Sequence, residues 1–264
     1  MDDTSEKAGC RQRVMFWAAI AAILALVVAV LGIGIQAYQA KLWPFALGGT
    51  PSSPSATCQG TSDNFQSASL DPEWAPVNLY PNASPLATYA ITPGELRLTA
   101  PTGVDLDGAI NYNAPRILQS AAGDFTIETT VALNLSAEQF VPNQYDAYQG
   151  AGVLLWQDED TYIRVEQGDR DNQHDVELIL YKNRLVSSLT AIPTQDTSIT
   201  LTVQRQGDTV SAWWSGSDGA KHQMGSLTVH LIRLEVGLAL VNNSHQAANV
   251  SNSASFSGFA FTCG

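Results

Sequence analysis

The 264-residue sequence predicts an all-β protein, a two-sheet antiparallel sandwich of the jelly-roll type, preceded by one N-terminal transmembrane helix. Three observations point there. An apolar run near the N-terminus is longer than a soluble helix needs. Beyond it, short segments alternate apolar and polar residues, with turn residues between them. After Ala37 no segment repeats its apolar residues with a helical period over ten positions.

Composition narrows the classes further. Hydrophobic residues make up 45% and charged residues 14%, the latter well below the usual ~25%, which excludes a long disordered chain. Thirteen basic residues face 25 acidic ones, for a net charge of −12. That balance excludes a nucleic-acid partner, because phosphate binding needs a basic footprint. Three cysteines are too few for a small disulfide scaffold or a tetrahedral zinc cluster.

Residues 1–13 form a short tail. Cys10 within it reads as a plain thiol, with acylation as the alternative open to a juxtamembrane cysteine. Residues 14–37 (VMFWAAIAAILALVVAVLGIGIQA) carry no charge, and about 20 apolar residues suffice to cross a bilayer as a helix. A signal-peptide core spans only ~7–15 residues, so the run reads as a retained anchor. Small residues at Ala37 and Ala40 keep cleavage as the alternative. Lys7, Arg11 and Arg13 precede the run and only Lys41 follows it closely, so the bias of basic residues places the N-terminus in the cytoplasm and the rest outside. Trp17 and Trp43 suit the two interfaces. Residues 38–57, with the stretch GGTPSSPSAT, read as a semi-extended linker.

The domain proper spans residues 58–264 and holds 22 of the acidic and 9 of the basic residues. Cys58 opens it and Cys263 is penultimate. Outside the cytoplasm a disulfide between them is permitted, and it would make the first and last segments neighbours. Phe125, Ile127, Thr129, Val131 and Leu133 share one strand face. Val176, Leu178 and Leu180, then Ile199, Leu201 and Val203, then Val210, Ala212 and Trp214 repeat the pattern. Asp158-Glu159-Asp160, Lys182-Asn183, Gly207-Asp208 and Ser217-Asp218-Gly219 mark turns. A dozen or so such strands fit one sandwich whose antiparallel sheets each have one wet face.

Three stretches carry a resemblance. They are Leu70-Asp71-Pro72-Glu73-Trp74, then Ala114-Pro115-Arg116-Ile117-Leu118-Gln119 leading to Gly123-Asp124-Phe125, and then residues 151–166 (AGVLLWQDEDTYIRVE). In order and spacing they resemble the concanavalin A-like domains of the domain-of-unknown-function 1349 group. These are similar to the accessory sandwich domain of family 43 β-xylosidases. The resemblance covers about residues 58–262, nearly the whole of the domain. It implies a concanavalin A-like sandwich and a domain that binds or borders carbohydrate, without an agreed activity. Members often end on an acidic Phe-Asp-Asp-Phe-like strand. Here the stretch is Phe256-Ser257-Gly258-Phe259, which removes the acidic residue and any cation site built on it.

The hairpin at Asp158-Glu159-Asp160 sets the candidate site. On its second strand Ile163 and Val165 point to the core, while Tyr162, Arg164 and Glu166 point the other way in a row. A ring, a guanidinium and a carboxylate are the mix that sugar recognition uses. Tyr181 and Trp213 lie on the polar parity of their strands and join the row if those strands are neighbours. Trp156 is a further candidate on a strand apolar on both faces. The alternative is a surface ladder of Arg164, Glu166 and Glu177. A glycosidase needs two carboxyls about 5–10 Å apart. Asp175 and Glu177 share a face, but the Glu-x-Asp-x-(x)-Glu run of sandwich glucanases is absent and only Glu166 could complete a pair.

No Gly-x-Ser-x-Gly elbow, phosphate loop, His-Glu-x-x-His or paired Cys-x-x-Cys occurs. His174, His222, His230 and His245 lack ligand spacing. Asp105, Asp107, Asn111 and Asn113 offer oxygens that Ca²⁺ accepts, but a polar turn network accounts for them and no cofactor is expected. Asn82, Asn134, Asn242 and Asn249 begin Asn-x-Ser sequons. The expectation is a membrane-anchored extracellular domain that binds a glycan without catalysis. A structural or protein-interaction ectodomain is the alternative, and a glycoside hydrolase the third reading.

Overall fold

The computed structural model describes residues 57–79, 86–107, 111–134, 148–170, 173–243 and 251–264. The predicted tail, the transmembrane helix, all but the last linker residue, His245 and the sequons at Asn82 and Asn249 lie outside the described residues.

Fourteen strands are described: β1 (Ala75–Val77), β2 (Thr88–Thr92), β3 (Glu95–Pro101), β4 (Arg116–Ser120), β5 (Phe125–Asn134), β6 (Tyr148–Trp156), β7 (Thr161–Arg170), β8 (Gln173–Lys182), β9 (Leu185–Pro193), β10 (Ser198–Gln206), β11 (Thr209–Ser215), β12 (His222–Thr228), β13 (Glu235–Asn243) and β14 (Ser251–Cys263). They make two seven-stranded sheets, with orders β1-β4-β13-β6-β7-β8-β9 and β12-β11-β10-β5-β14-β3-β2. All the strand pairs are antiparallel. No described residue is helical.

Alternation builds the core between the sheets. On β5, Phe125, Ile127, Thr129, Val131 and Leu133 are buried, while Thr126, Glu128, Thr130 and Ala132 face outward. Ile163 and Val165 of β7, Val176 and Leu178 of β8, and Leu201 and Val203 of β10 meet them from both sheets. Burying each such side chain contributes roughly 1.5–3 kcal/mol. Turn chemistry closes the hairpins. Asn183 and Arg184 both take positive φ between β8 and β9, the form that a two-residue hairpin turn requires.

One wet face per sheet describes the second sheet and fails for the first. Strands β6 and β8 are almost uniformly buried, as is β7. The cause is the cover that residues 103–107 and 111–114 provide. Val104 is tied to β13 by paired backbone bonds with Asn242, and Leu106 and Ala114 pack against Leu154, Trp156, Tyr162, Ile179 and Tyr181. The first sheet thus has a second, smaller core on its outer side.

Cys58 and Cys263 form the expected disulfide, with Cα atoms 5.7 Å apart across 205 residues of sequence. Bridges from Gln59 to Ala122 and from Asp63 to Phe259 of β14 extend the clasp, and Gln119 of β4 donates to the Thr61 carbonyl at 2.7 Å, so the start of the domain is stitched to both sheets.

Candidate functional site

Register brings most of the predicted row together. Trp156, Tyr162 and Tyr181 form one rung across β6, β7 and β8. Leu154, Arg164 and Ile179 form the next, then Gly152, Glu166 and Glu177, then Gly150, Gly168 and Asp175. Tyr162 stacks on Tyr181 with centroids 4.4 Å apart and lies 5.1 Å from Trp156. Arg116 sits over the Trp156 ring at 4.5 Å.

Polar groups in this layer satisfy one another. Arg164 donates two bonds to Glu166, from Nε at 3.1 Å and from Nη2 at 2.5 Å, and a third to the Leu106 carbonyl at 3.2 Å. Tyr148 donates to Glu166 at 2.5 Å, and Tyr162 to the Leu106 carbonyl at 2.7 Å. Glycines admit the Tyr148 ring, since a Cβ at Gly150 or Gly168 would stand 2.7 Å from its hydroxyl oxygen. Burial is the largest influence on Arg164 and opposes its charge, but the Glu166 carboxylate, the Tyr148 and Tyr181 phenols and the hydrogen bond to Glu166 together outweigh it and hold the guanidinium protonated. Burial raises the Tyr148 phenol.

A second set in the layer is unsatisfied. Both carboxylate oxygens of Glu177 and one of Asp175 are buried without a hydrogen-bond partner, and Arg170 approaches Glu177 only to 3.6 Å. Burial, then the neighbouring Glu177 carboxylate, pushes Asp175 up to about 7. Burial and Glu166 raise Glu177.

These positions correct the expectation of an open sugar-binding row. Tyr162 is 0% exposed, Arg164 and Glu166 3%, and Glu177 1%, in a layer that Leu106 and Ala114 help to cover. Trp213 is not a neighbour. It lies on β11 of the other sheet, where Lys221 Nζ stands 4.9 Å from its ring centroid. Glu166 and Glu177 do face each other across β7 and β8, but neither reaches solvent. Asp105, Asn111 and Asn113 bind Gly103, Leu106 and each other. Burial raises Asp105 to about 6. Among the described residues no three His, Cys, Asp or Glu side chains are placed to hold a metal. His174, His222 and His230 each contact an aspartate. Asn134 is exposed, whereas Asn242 is fully buried and donates to the Ala100 carbonyl, so the folded domain hides that sequon.

Among the described residues, the outer face of the second sheet presents an accessible polar surface. Ser257, Thr130, Thr200 and Ser215 make one rung across β14, β5, β10 and β11. Glu128, Thr202 and Trp213 make the next. With strands about 4.8 Å apart, Glu128 and Trp213 stand about 10 Å apart. Between Ser257 and Ala260 the β14 register slips, and Gly258 takes a φ of 71°. This bulge opens a depression of about 220 Å³ lined by Ser62, Asn64, Glu128, Thr130 and Ser257, among others. Trp213 is half-buried, whereas Trp74, Trp156 and Trp214 are buried. Sequence reasoning missed Glu128, Thr130 and Ser257. Two signals could have found them: the outward parity of β5, and the Ser-Gly pair that replaces the acidic residues in Phe256-Ser257-Gly258-Phe259.

The family described as the β-xylosidase C-terminal concanavalin A-like domain matches residues 62–250. The match bears out the resemblance to the accessory sandwich domain of family 43 β-xylosidases and does not extend to the domain-of-unknown-function 1349 group. The fold is similar to the xyloglucan PUL GH43B protein of Bacteroides ovatus, at 16% identity and a TM-score of 0.58, over 78% of this chain and 39% of that one. It is similar to a functionally unknown Saccharomyces cerevisiae protein, at 11% identity and a TM-score of 0.58, over 73% and 97%. It is also similar to the xylan β-1,4-xylosidase of Bacillus halodurans, at 14% identity and a TM-score of 0.55, over 83% and 41%. The chain therefore spans about two-fifths of the Bacteroides and Bacillus chains. Among curated proteins none matches.

Proposed function

We propose that this chain, which belongs to the family of β-xylosidase C-terminal concanavalin A-like domains, is a non-catalytic glycan-binding module held outside the cell by residues 14–37. The observation that carries the reading is the depression at the β14 bulge. It offers the Glu128 carboxylate, the Ser257 hydroxyl and the Asn64 amide, with Trp213 one strand beyond Thr202. An aromatic ring for a sugar's apolar face and a few fixed polar groups for its hydroxyls are the usual parts of such a site. The Cys58–Cys263 disulfide supports an oxidising compartment, and the basic residues before the apolar run support a cytoplasmic N-terminus.

Two measurements test this. The purified chain in detergent micelles should bind polysaccharides on an array, and Ser257→Tyr, which fills the depression, should abolish that binding while the melting temperature holds. Unchanged binding refutes the site. Protease added to intact cells should cleave the domain; full protection refutes the placement.

A protein-interaction ectodomain is the second reading, and two observations favour it. Arg164 and Glu166 bind each other rather than a ligand. Edge strand β9 also exposes Leu185, Val186 and Leu189 with no charge along its length, an edge open to pairing with another chain.

A further inference from the structure

The depression has one sign of charge, and that sign selects among sugars. Its lining includes two carboxylates, Glu128 and Asp63, and no Lys, Arg or His. Asp63 is already committed, accepting from the Phe65 amide at 2.7 Å and from Trp74 Nε1 at 2.9 Å. Glu128 is exposed, and its Oε2 accepts one long bond from Thr202 at 3.4 Å. Thr130 is occupied by Thr200 at 2.8 Å. Glu128 therefore keeps acceptor capacity for an incoming group. Among the cations of this sheet and its turns, Arg97 pairs with Glu95, Arg205 donates to the Gly207 and Leu231 carbonyls, and Lys221 lies over Trp213 at the far side of the site.

Resting on the reading of this depression as a glycan site, we infer that its ligand is an amino sugar, a 2-amino-2-deoxyhexose unit whose protonated amine docks on Glu128. An ammonium supplies three donors to a carboxylate that has room for them. A uronate or sulfated sugar would bring a second negative charge against Glu128 in a chain of net charge −12. An N-acetylated unit keeps the ring and hydroxyls but loses the charge.

The test compares three probes on the full chain in detergent micelles by titration calorimetry: glucosamine oligomers, N-acetylglucosamine oligomers and galacturonate oligomers. An exposed charge pair of up to ~1 kcal/mol corresponds to a preference of up to about five-fold for the free amine. That preference should fall at about 0.5 M salt, vanish in Glu128→Gln and persist in Glu159→Gln, a remote acidic control. A preference that survives in Glu128→Gln or disappears in Glu159→Gln overturns the docking, since it reports general attraction to an acidic protein. Equal binding of the amine and acetylated forms overturns the inference but leaves the glycan reading intact, as does tighter binding of galacturonate. Binding of none of the three, or of any polysaccharide on the array, ends both.

Discussion

Replacing Asp175 with asparagine should stabilise the domain, and only above mildly acidic pH. The carboxyl is buried beside Glu177, with one oxygen lacking a partner, and burial with that neighbour lifts it from 3.8 to about 7. A carboxyl whose folded pKa is raised favours the folded state while protonated. That contribution is complete below the unfolded pKa and is lost as pH climbs through the folded one. The window therefore runs from about pH 4 to pH 7. At ~1.36 kcal/mol per unit the full span is on the order of 4 kcal/mol. Asp175 and Glu177 repel through the same small volume, and the neutral amide would relieve only its own part, so about 2 kcal/mol is the expected gain at pH 8. For a domain of this size that is a rise of roughly 4–8 °C in Tm. The assay is Tm against pH for both proteins, read as the difference, which cancels the carboxylates elsewhere. The difference should be near zero at about pH 4, grow through about pH 5–7 and level off above. A difference that is flat in pH, or that favours the native aspartate at pH 8, would refute the buried-dyad argument.

Two further outcomes follow from the same layer and from the clasp. Arg164→Met should cost about 3–5 kcal/mol in urea unfolding, because Glu166 is left charged and buried; Arg164→Met with Glu166→Leu should recover most of it, and equal losses in both would deny that the pair is a closed unit. Replacing Cys58 and Cys263 together with serine should lower stability by roughly 2–5 kcal/mol, with little effect on the folded circular dichroism spectrum.

Much of the inward architecture was legible, residue by residue. Phe125 to Leu133 alternate, so their inward parity could be read from a short window of sequence, as could that of Ile163 and Val165. Cys58 and Cys263 bracket the domain, so their pairing could be read from their positions at its two ends. The run Tyr148–Trp156 even carried a hint of double burial, being apolar at both parities. It was not legible that Leu106, far before Tyr162 in the chain, would accept hydrogen bonds from Tyr162 and Arg164 and close the row. Nor was it legible that Trp213, with the same outward parity as Tyr162, belongs to the opposite sheet.

By itself, then, the sequence determined periodicity, charge balance and the clasp, because each depends on neighbours along the chain or on composition. Only the tertiary structure decided which outward face stays wet. That choice depends on strand order and on one loop crossing a sheet, and both are contacts between residues far apart in sequence. Local alternation specifies which way a side chain points and carries no information about what it meets there.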